Sequence, residues 1–121
     1  MKNLIVLNLT EYGKGRIWLR MLFEVISKLG RRIRVTKSYW EIVVTKKHPS
    51  VAGMIEEVML ALKDPDEVRR SRFNGSIYLY YKRLDDMLIC VVTKHLDEEG
   101  FLVTTYLTNK IKRGETVWKK T

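Results

Sequence analysis

Residues 68–108 read VRRSRFNGSIYLYYKRLDDMLICVVTKHLDEEGFLVTTYLT, and this stretch decides the fold. Short runs of apolar residues alternate with polar ones and are separated by turn signals, a pattern that predicts β-strands. The predicted strands are Val68–Arg72, Ser76–Arg83, Met87–His95 and Phe101–Thr108. The turns between them are Asn74–Gly75, Asp85–Asp86 and Asp97–Gly100. Because turns this short join neighbouring strands, the four strands form an antiparallel meander.

The first thirty residues precede this pattern with a strand and a helix. Lys2–Leu9 predicts a short strand, and Arg16–Leu29 predicts a basic amphipathic helix that Gly30 ends. The helix has an apolar stripe that packs on the core or on a partner. The stripe consists of Trp18, Met21, Leu22, Val25, Ile26 and Leu29.

Two more helices are predicted between this segment and the meander. After an extended segment over Arg31–Val35, Thr36 can cap a helix over Lys37–Lys47, although its second half also suits a strand. Pro49 begins the next helix, which Asp64–Pro65 ends. The fold class is therefore α+β, with helices packed on a four-stranded antiparallel meander.

Length and charge limit the classes of function. The chain has 121 residues, enough for one domain, and a formal net charge of +9. From Gly13 to Lys47 there are ten Lys or Arg residues against two Glu. A charge of this size favours a polyanionic partner, RNA or DNA before a membrane. The apolar run Leu4–Leu7 is too short for a signal peptide, and the single Cys90 suggests no disulfide, so we expect a cytoplasmic protein.

Alternation along the last strand separates two faces. Val103, Thr105 and Leu107 should face the helices, which leaves three hydroxyls in a row on the other side. These are Thr104, Tyr106 and Thr108. Hydroxyls in such a row suit contacts with phosphate or ribose oxygens, although an ordinary solvated strand has the same composition.

Cations at the ends of the neighbouring strands favour the same interpretation, that this part of the sheet binds phosphate. Lys94 and Lys82 each end an apolar strand, and Lys82 follows Tyr81. Arg70, Ser71 and Arg72 form a basic edge close by in the sequence. An arginine binds a phosphate through its planar fork, so these residues are predicted to surround a phosphodiester.

His48 is the best general acid or base candidate, because imidazole titrates near neutral pH. Metal-free RNA cleavage needs a base for the 2′-hydroxyl, an acid for the leaving oxygen and cations for the developing charge. His48, then Lys94 or Tyr81, then Arg72 or Arg70 could fill these roles. A His-Pro pair also serves as a plain helix cap, and His95 is predicted to be an exposed turn residue.

Other chemistries lack their residues. Gly13–Gly15 does not have the spacing of a phosphate-binding glycine loop. Two distant histidines and one buried cysteine, Cys90, predict neither a zinc site nor a thiol nucleophile. The prediction is therefore a site with no metal and no cofactor.

An ordered series of short segments resembles the barnase, EndoU, colicin and RelE-like (BECR) nuclease group, in particular small proteins of phages and mobile elements. The segments are Arg32–Thr36 with Trp40, His48–Pro49, Asp64–Val68, Tyr80–Lys82, Val91–Lys94, Thr104–Tyr106 and Gly114–Glu115. The resemblance covers residues 31–118. It implies a nuclease domain over 31–121 behind an N-terminal extension over 1–30, within one compact domain.

The resemblance also implies a metal-independent ribonuclease site on the sheet. By position, that site would draw on residues already selected above, namely His48, Arg70, Ser71, Arg72, Tyr81, Lys94 and Thr104. Similar sequences often have a histidine soon after the tryptophan, whereas Trp40 is followed by Glu41, Ile42 and Val43. That departure leaves a weaker nuclease or a plain RNA-binding protein as the alternative.

Three hypotheses follow. The first is a toxin-like endoribonuclease that acts on mRNA or tRNA, with an antitoxin or immunity protein as a further partner. In it His48, Arg72, Tyr81, Lys94 and Thr104 are catalytic, and the phosphate-binding residues are Arg70, Ser71, Lys82, Tyr106 and Thr108. The second is a non-catalytic RNA- or DNA-binding module. The third is an interaction domain that uses the Arg16–Leu29 helix to bind a partner or form a homodimer.

Overall fold

Apolar and polar side chains alternate along much of the described chain, so most of it forms β-strands. The computed structural model describes residues 5–6 and 20–121, and their strands form one sheet. Its strands are β1 Ile5–Val6, β2 Arg20–Ile26, β3 Arg32–Thr36, β4 Glu67–Ser71, β5 Ile77–Leu84, β6 Met87–Leu96, β7 Glu99–Thr108 and β8 Gly114–Lys119. Two α-helices, α1 Lys37–Ile42 and α2 Ile55–Lys63, lie between β3 and β4. The predicted α+β class is confirmed.

The sheet is larger than the sequence predicted. Its strand order is β1-β2-β3-β7-β6-β5-β4-β8, and all neighbouring pairs are antiparallel except β3 with β7. The four predicted strands are β4 to β7, and Asp85 and Asp97 form two of their turns with φ of 55° and 53°. A sheet of four strands is nevertheless wrong, because β3 continues it beyond β7 and β8 continues it beyond β4.

The predicted helix over Arg16–Leu29 is wrong across Arg20–Ile26, which form β2. Phe23 and Val25 are buried and pair with Val35 and Ile33 of β3. The apolar residues here fit a helical period and a strand period equally well, and pairing with β3 decides in favour of the strand. The hypothesis of an interaction domain relied on this helix, and Arg20–Ile26 do not form it. Residues 2–4 and 7–19, including Trp18, lie outside the described residues.

The connection from β3 to β4 contains the helices as short pieces. Thr36 caps α1 as predicted, since its Oγ1 accepts a hydrogen bond from the Tyr39 backbone N–H at 3.1 Å. The chain continues through a π-helical turn, Val43–Lys47, and a 3-10 turn, Pro49–Val51. The helix predicted from Pro49 is interrupted, because Gly53 has a φ of +82°, and α2 begins only at Ile55.

The two faces of β4–β7 carry different groups. On one face, which we call the helix face, Tyr80 and Val91 pack with Trp40 of α1 and with Val58 and Leu62 of α2. On the opposite side, which we call the open face, a smaller apolar cluster contains no helical residue. Its members are Leu79, Tyr81, Leu88 and Cys90, with Ile77, Val92, Tyr106 and Ile111 against them.

Two further expectations concern buried polar groups. Cys90 is fully buried, as predicted, and its burial raises the pKa of the thiol to about 11. His95, predicted as an exposed turn residue, is instead buried in the helix face, stacked on Tyr78 with ring centroids 3.9 Å apart. The prediction failed because β6 runs one residue past His95, to Leu96. Among the described residues no helix is long and apolar enough to span a membrane.

Candidate functional site

A cavity of about 660 Å³ opens on the open face of the sheet. Three separate parts of the chain meet there, which are the start of the 3-10 turn, the β4–β5 loop and the β7–β8 loop. Strands β5, β6 and β7 form its floor. The lining residues are His48, Ser71, Arg72, Phe73, Ile77, Leu79, Val92, Thr104, Tyr106, Lys112 and Arg113.

His48 reaches the open face because β7 has a partially free edge. β3 pairs with β7 only at Glu99–Phe101, so the later part of β7 contacts the turns at residues 43–51 instead. The backbone N–H of His48 donates to the Val43 carbonyl at 2.7 Å, and Tyr39 Oη donates to the Val103 carbonyl at 2.6 Å. The His48 ring then lies beside Tyr106, with centroids 5.4 Å apart.

Thr104 and Tyr106 have buried hydroxyl oxygens that form no hydrogen bond of ordinary length and angle with the described residues, although the Tyr106 hydroxyl lies close to the Cys90 thiol and the Tyr81 hydroxyl. Both lie on the open face, opposite Val92 and Cys90 of β6. Burial, and then the neighbouring Cys90 thiol, raise the pKa of Tyr106, so its hydroxyl keeps its proton. A buried hydroxyl without a partner costs about 1–3 kcal/mol. Water or a ligand can supply the missing partner of such a hydroxyl.

The cavity lining is cationic. Arg72, Lys112 and Arg113 are exposed, and none of them forms an ion pair with a carboxylate in residues 20–121. No Asp or Glu of the described residues lines the cavity. Lys112 Nζ lies 5.4 Å from the centroid of the Tyr106 ring. A concave surface lined by cations attracts anions, and both phosphates and carboxylates bind to arginine and lysine.

Five of the residues predicted for the site line this cavity. His48, Arg72 and Thr104 come from the predicted catalytic set, and Ser71 and Tyr106 come from the predicted phosphate-binding set. They are up to 58 positions apart in the sequence. The alternation argument placed Thr104 and Tyr106 on one face and Thr105 on the other, and Thr105 is indeed fully buried on the helix face.

Two predicted catalytic residues are not in the cavity lining. Tyr81 is fully buried, its hydroxyl accepts a hydrogen bond from the Lys112 backbone N–H at 3.0 Å, and burial raises its pKa to about 12. Its hydroxyl therefore positions the β7–β8 loop. Lys94 lies two residues past Val92 on β6 and pairs with the lining residue Ile77, but it is not itself part of the cavity lining.

Three predicted phosphate-binding residues are already engaged in other contacts. Arg70 Nε donates to Glu115 at 2.9 Å, and Lys82 Nζ lies 3.3 Å from a carboxylate oxygen of Asp64. The Thr108 hydroxyl accepts a hydrogen bond from the Lys110 backbone N–H at 3.1 Å and stabilises the turn after β7. None of the three lines the cavity.

Six lining residues were not predicted for the site. Ile77, Leu79 and Val92 are apolar residues of its floor, and the other three are Phe73, Lys112 and Arg113. Phe73 is an aromatic residue directly before the Asn74–Gly75 turn, where side chains are usually polar, and that contrast was a readable signal. Lys112 and Arg113 follow the last predicted strand in a loop without periodicity. Their position depends on the hydrogen bond from Lys112 to Tyr81 and on β8, and neither was visible in the sequence.

Comparison with known proteins adds no name to this geometry. No family model matches the chain, and neither a curated protein nor a solved structure matches it. Within residues 5–6 and 20–121, no three His, Cys, Asp or Glu side chains form a group that could hold a metal ion. A function for the cavity is therefore argued from its own side chains.

Proposed function

We propose that the cavity on the open face binds an RNA phosphodiester and that the protein is a metal-independent endoribonuclease. One observation carries the proposal. Within residues 5–6 and 20–121, His48 shares a cavity lining with two hydroxyls that form no hydrogen bond of ordinary geometry and with three cations that form no ion pair, and no carboxylate of these residues lines it. These are a base, hydrogen-bond donors and positive charges, the groups that cleavage through the 2′-hydroxyl requires.

In the proposed reaction, His48 is the general base. Its neutral imidazole takes the proton from a ribose 2′-hydroxyl, and the 2′-oxygen attacks the adjacent phosphorus. The bond from phosphorus to the 5′-oxygen then breaks. Lys112 donates a proton to that leaving oxygen, a role that the sequence analysis had given to Lys94 or Tyr81. The products are a 2′,3′-cyclic phosphate and a free 5′-hydroxyl.

The remaining lining residues stabilise the charge that develops on the phosphoryl oxygens. Thr104 and Tyr106 donate hydrogen bonds to them, which also satisfies the two buried hydroxyls. Arg72 and Arg113 supply positive charge from the two loops at the cavity edge. Donors fixed in place by a strand act strongly here, since they need little rearrangement when the charge appears.

The BECR resemblance belongs to the same proposal. It rests on the ordered sequence segments, and the antiparallel meander of β4, β5, β6 and β7 with the cavity on it is the part of the fold that it would use. The proposal also includes a cytoplasmic location, mRNA or tRNA as the substrate, and an antitoxin or immunity protein as the natural partner. The BECR relationship itself is part of what the experiments test.

The test is incubation of the purified protein with total RNA in the presence of a chelator. We expect fragments with 5′-hydroxyl and 2′,3′-cyclic phosphate ends. The matched control is a defined RNA oligonucleotide with a single 2′-deoxy residue at the cleaved position, which should stay intact at that position. RNA that remains uncut at high protein concentration would contradict the enzymatic proposal.

A second candidate is a non-catalytic RNA-binding module, which two observations favour. Among the described residues His48 is the only histidine in the cavity lining, and Glu41, Ile42 and Val43 stand where the BECR resemblance often implies a second histidine. This candidate predicts RNA affinity that falls steeply with salt, without any cleavage. A salt titration of RNA binding beside the cleavage assay separates the two candidates.

A further inference from the structure

We propose that Phe73 is a stacking platform for one nucleobase of the bound strand, and that the substrate is therefore single-stranded RNA. This inference rests on the proposed function, because it assigns the base that flanks the phosphate in the same cavity. Its starting point is the position of Phe73 at the cavity edge, directly after Arg72.

The exposure of Phe73 is unusual for a large apolar side chain. The side chain is 89% exposed, whereas the next most exposed large apolar residue among the described ones, Ile26, is 55% exposed. A ring on the surface has no stabilising role in the core. Exposed aromatic rings beside a cationic cavity are typical of surfaces that bind single-stranded nucleic acid.

The loop that carries Phe73 is held by its own hydrogen bonds. The Phe73 backbone N–H donates to Ser71 Oγ at 3.1 Å, and the Asn74 side chain accepts from the Ser76 N–H at 3.0 Å. The Ile77 N–H donates to the Asn74 carbonyl at 3.0 Å, which ties the loop to the start of β5. The backbone that carries the ring is therefore held in place, so a ligand that stacks on the ring has less loop entropy to remove.

Arg72 connects the ring to the phosphate site. The Arg72 guanidinium lies 5.4 Å from the centroid of the Phe73 ring and also lines the cavity. One side chain can therefore contact the phosphate and the aromatic ring of the same site. A nucleobase on the ring would extend this stack, as arginine and aromatic residues do together in proteins that bind single strands.

This arrangement selects for an unpaired base. In an RNA duplex the bases are stacked on each other within the helix, and the deep, narrow major groove admits no side chain. A base can reach Phe73 only when it is splayed out of a single strand, a loop or a bulge. Because every base has an aromatic face, stacking on Phe73 favours single strands without selecting a particular base.

The experiment measures binding of a 2′-O-methyl RNA oligonucleotide, which the proposed mechanism cannot cleave. The oligonucleotide contains 2-aminopurine, whose fluorescence decreases when it stacks. Phe73→Leu keeps an apolar side chain but removes the ring, and it should bind the single strand about 10-fold more weakly than the unsubstituted protein. Phe101→Leu is the matched control, since Phe101 is 41% exposed and lies outside the cavity lining.

The outcomes separate this inference from the proposed function. We expect a fluorescence decrease for the unsubstituted protein and for Phe101→Leu, a smaller decrease for Phe73→Leu, and weaker binding of a duplex of the same sequence. Equal affinity of all three proteins for the single strand would overturn the stacking platform and leave the phosphate site standing. No binding of any oligonucleotide would overturn both.

Discussion

Two consecutive threonines of β7 differ in how their hydroxyls are held on the two faces of the sheet, although His95 Nδ1 on the helix face also has no partner among the described residues. On the helix face, Thr105 donates to the Cys90 carbonyl at 2.8 Å, and Tyr80 Oη lies 2.7 Å from Ser27 Oγ and 3.1 Å from His95 Nε2. On the open face, the Thr104 hydroxyl has no such partner in the described residues. The Thr105 hydroxyl stabilises the fold through its protein partner, whereas in our proposal the RNA supplies the partner of the Thr104 hydroxyl.

The arginines and lysines repeat this contrast. Arg70 is paired with Glu115, and Lys82 is paired with Asp64, so these cations stabilise the ends of the sheet. Arg72, two residues from Arg70, has no carboxylate partner among the described residues and lines the cavity. Arg70 and Arg72 are thus close in the sequence but differ in role, since Arg70 forms an ion pair within the protein and Arg72 is free to bind an anion.

The largest expected effect separates the two histidines. His48→Ala should lower RNA cleavage about 10²- to 10⁴-fold, the usual contribution of a general base, and leave the melting temperature unchanged. His95→Ala should lower the free energy of unfolding by about 2–4 kcal/mol, because it leaves a void and removes a partner of Tyr80. Cleavage rates and thermal melts of both variants are the measurements.

The two histidine variants should give opposite results for cleavage and for stability. His95→Ala, assayed at a temperature where it is folded, should cleave RNA within about a factor of two of the unsubstituted protein. If His95→Ala lost cleavage while folded, or His48→Ala unfolded the protein, the assignment of one face to structure and the other to function would be wrong.

Two arginines give the next effect. Arg72→Ala should weaken RNA binding about 10-fold and reduce the slope of log affinity against log salt by about one, because one phosphate contact is lost. Arg83→Ala is the matched control, since Arg83 is exposed but lies beside a different pocket. Fluorescence anisotropy of a labelled RNA across a salt series measures both values. Equal losses for the two variants would indicate a diffuse basic surface.

The buried histidine makes stability depend on pH. Burial, and then the nearby Arg31, lower the pKa of His95 to about 4, below its ordinary value of 6.5. The unfolded chain therefore binds a proton between pH 6.5 and 4 that the folded protein does not bind, so stability falls as the pH falls through this range. We expect a loss of about 1–2 kcal/mol between pH 7 and pH 5 in urea unfolding. His95→Gln should lose much of this dependence.

The smallest effect compares the two threonines. Thr105→Val removes a bonded hydroxyl and should lower the free energy of unfolding by about 1 kcal/mol without changing RNA affinity. Thr104→Val removes an unpartnered hydroxyl, so stability should stay equal or rise, while RNA affinity or cleavage falls about 5-fold. Urea unfolding and RNA binding measure the pair. A destabilised Thr104→Val would mean that its hydroxyl has a structural partner.

Local patterns predicted the part of the fold that depends on near neighbours in the sequence. The alternation of apolar and polar residues and the short turns predicted β4 to β7, and Thr36 predicted the start of α1. The spacing of apolar residues in β2 could not distinguish a strand from a helix, because it fits both. β8 was missed since Gly114–Lys119 is paired on one side only and carries few apolar residues.

The candidate site was predictable where one strand sets the geometry. Alternation was enough to separate Thr104 and Tyr106 from Thr105 on β7. It could not show that Tyr81 is buried on the open face with its hydroxyl bonded to Lys112, nor that Asp64 holds Lys82. These contacts join residues 18 or more positions apart, so they follow from the packing of strands and loops and not from any local pattern.

The most direct test of the account is an NMR titration of the labelled protein with a single-stranded 2′-O-methyl RNA, which reports on both faces at once. The account predicts that amide shifts concentrate at His48, Arg72–Phe73, Thr104, Tyr106 and Lys112–Arg113. Tyr80, His95 and Thr105 on the helix face should change little. Shifts that spread over the helix face, or that miss the cavity while RNA binds, would contradict the claim that the unpartnered groups of the open face form the RNA site.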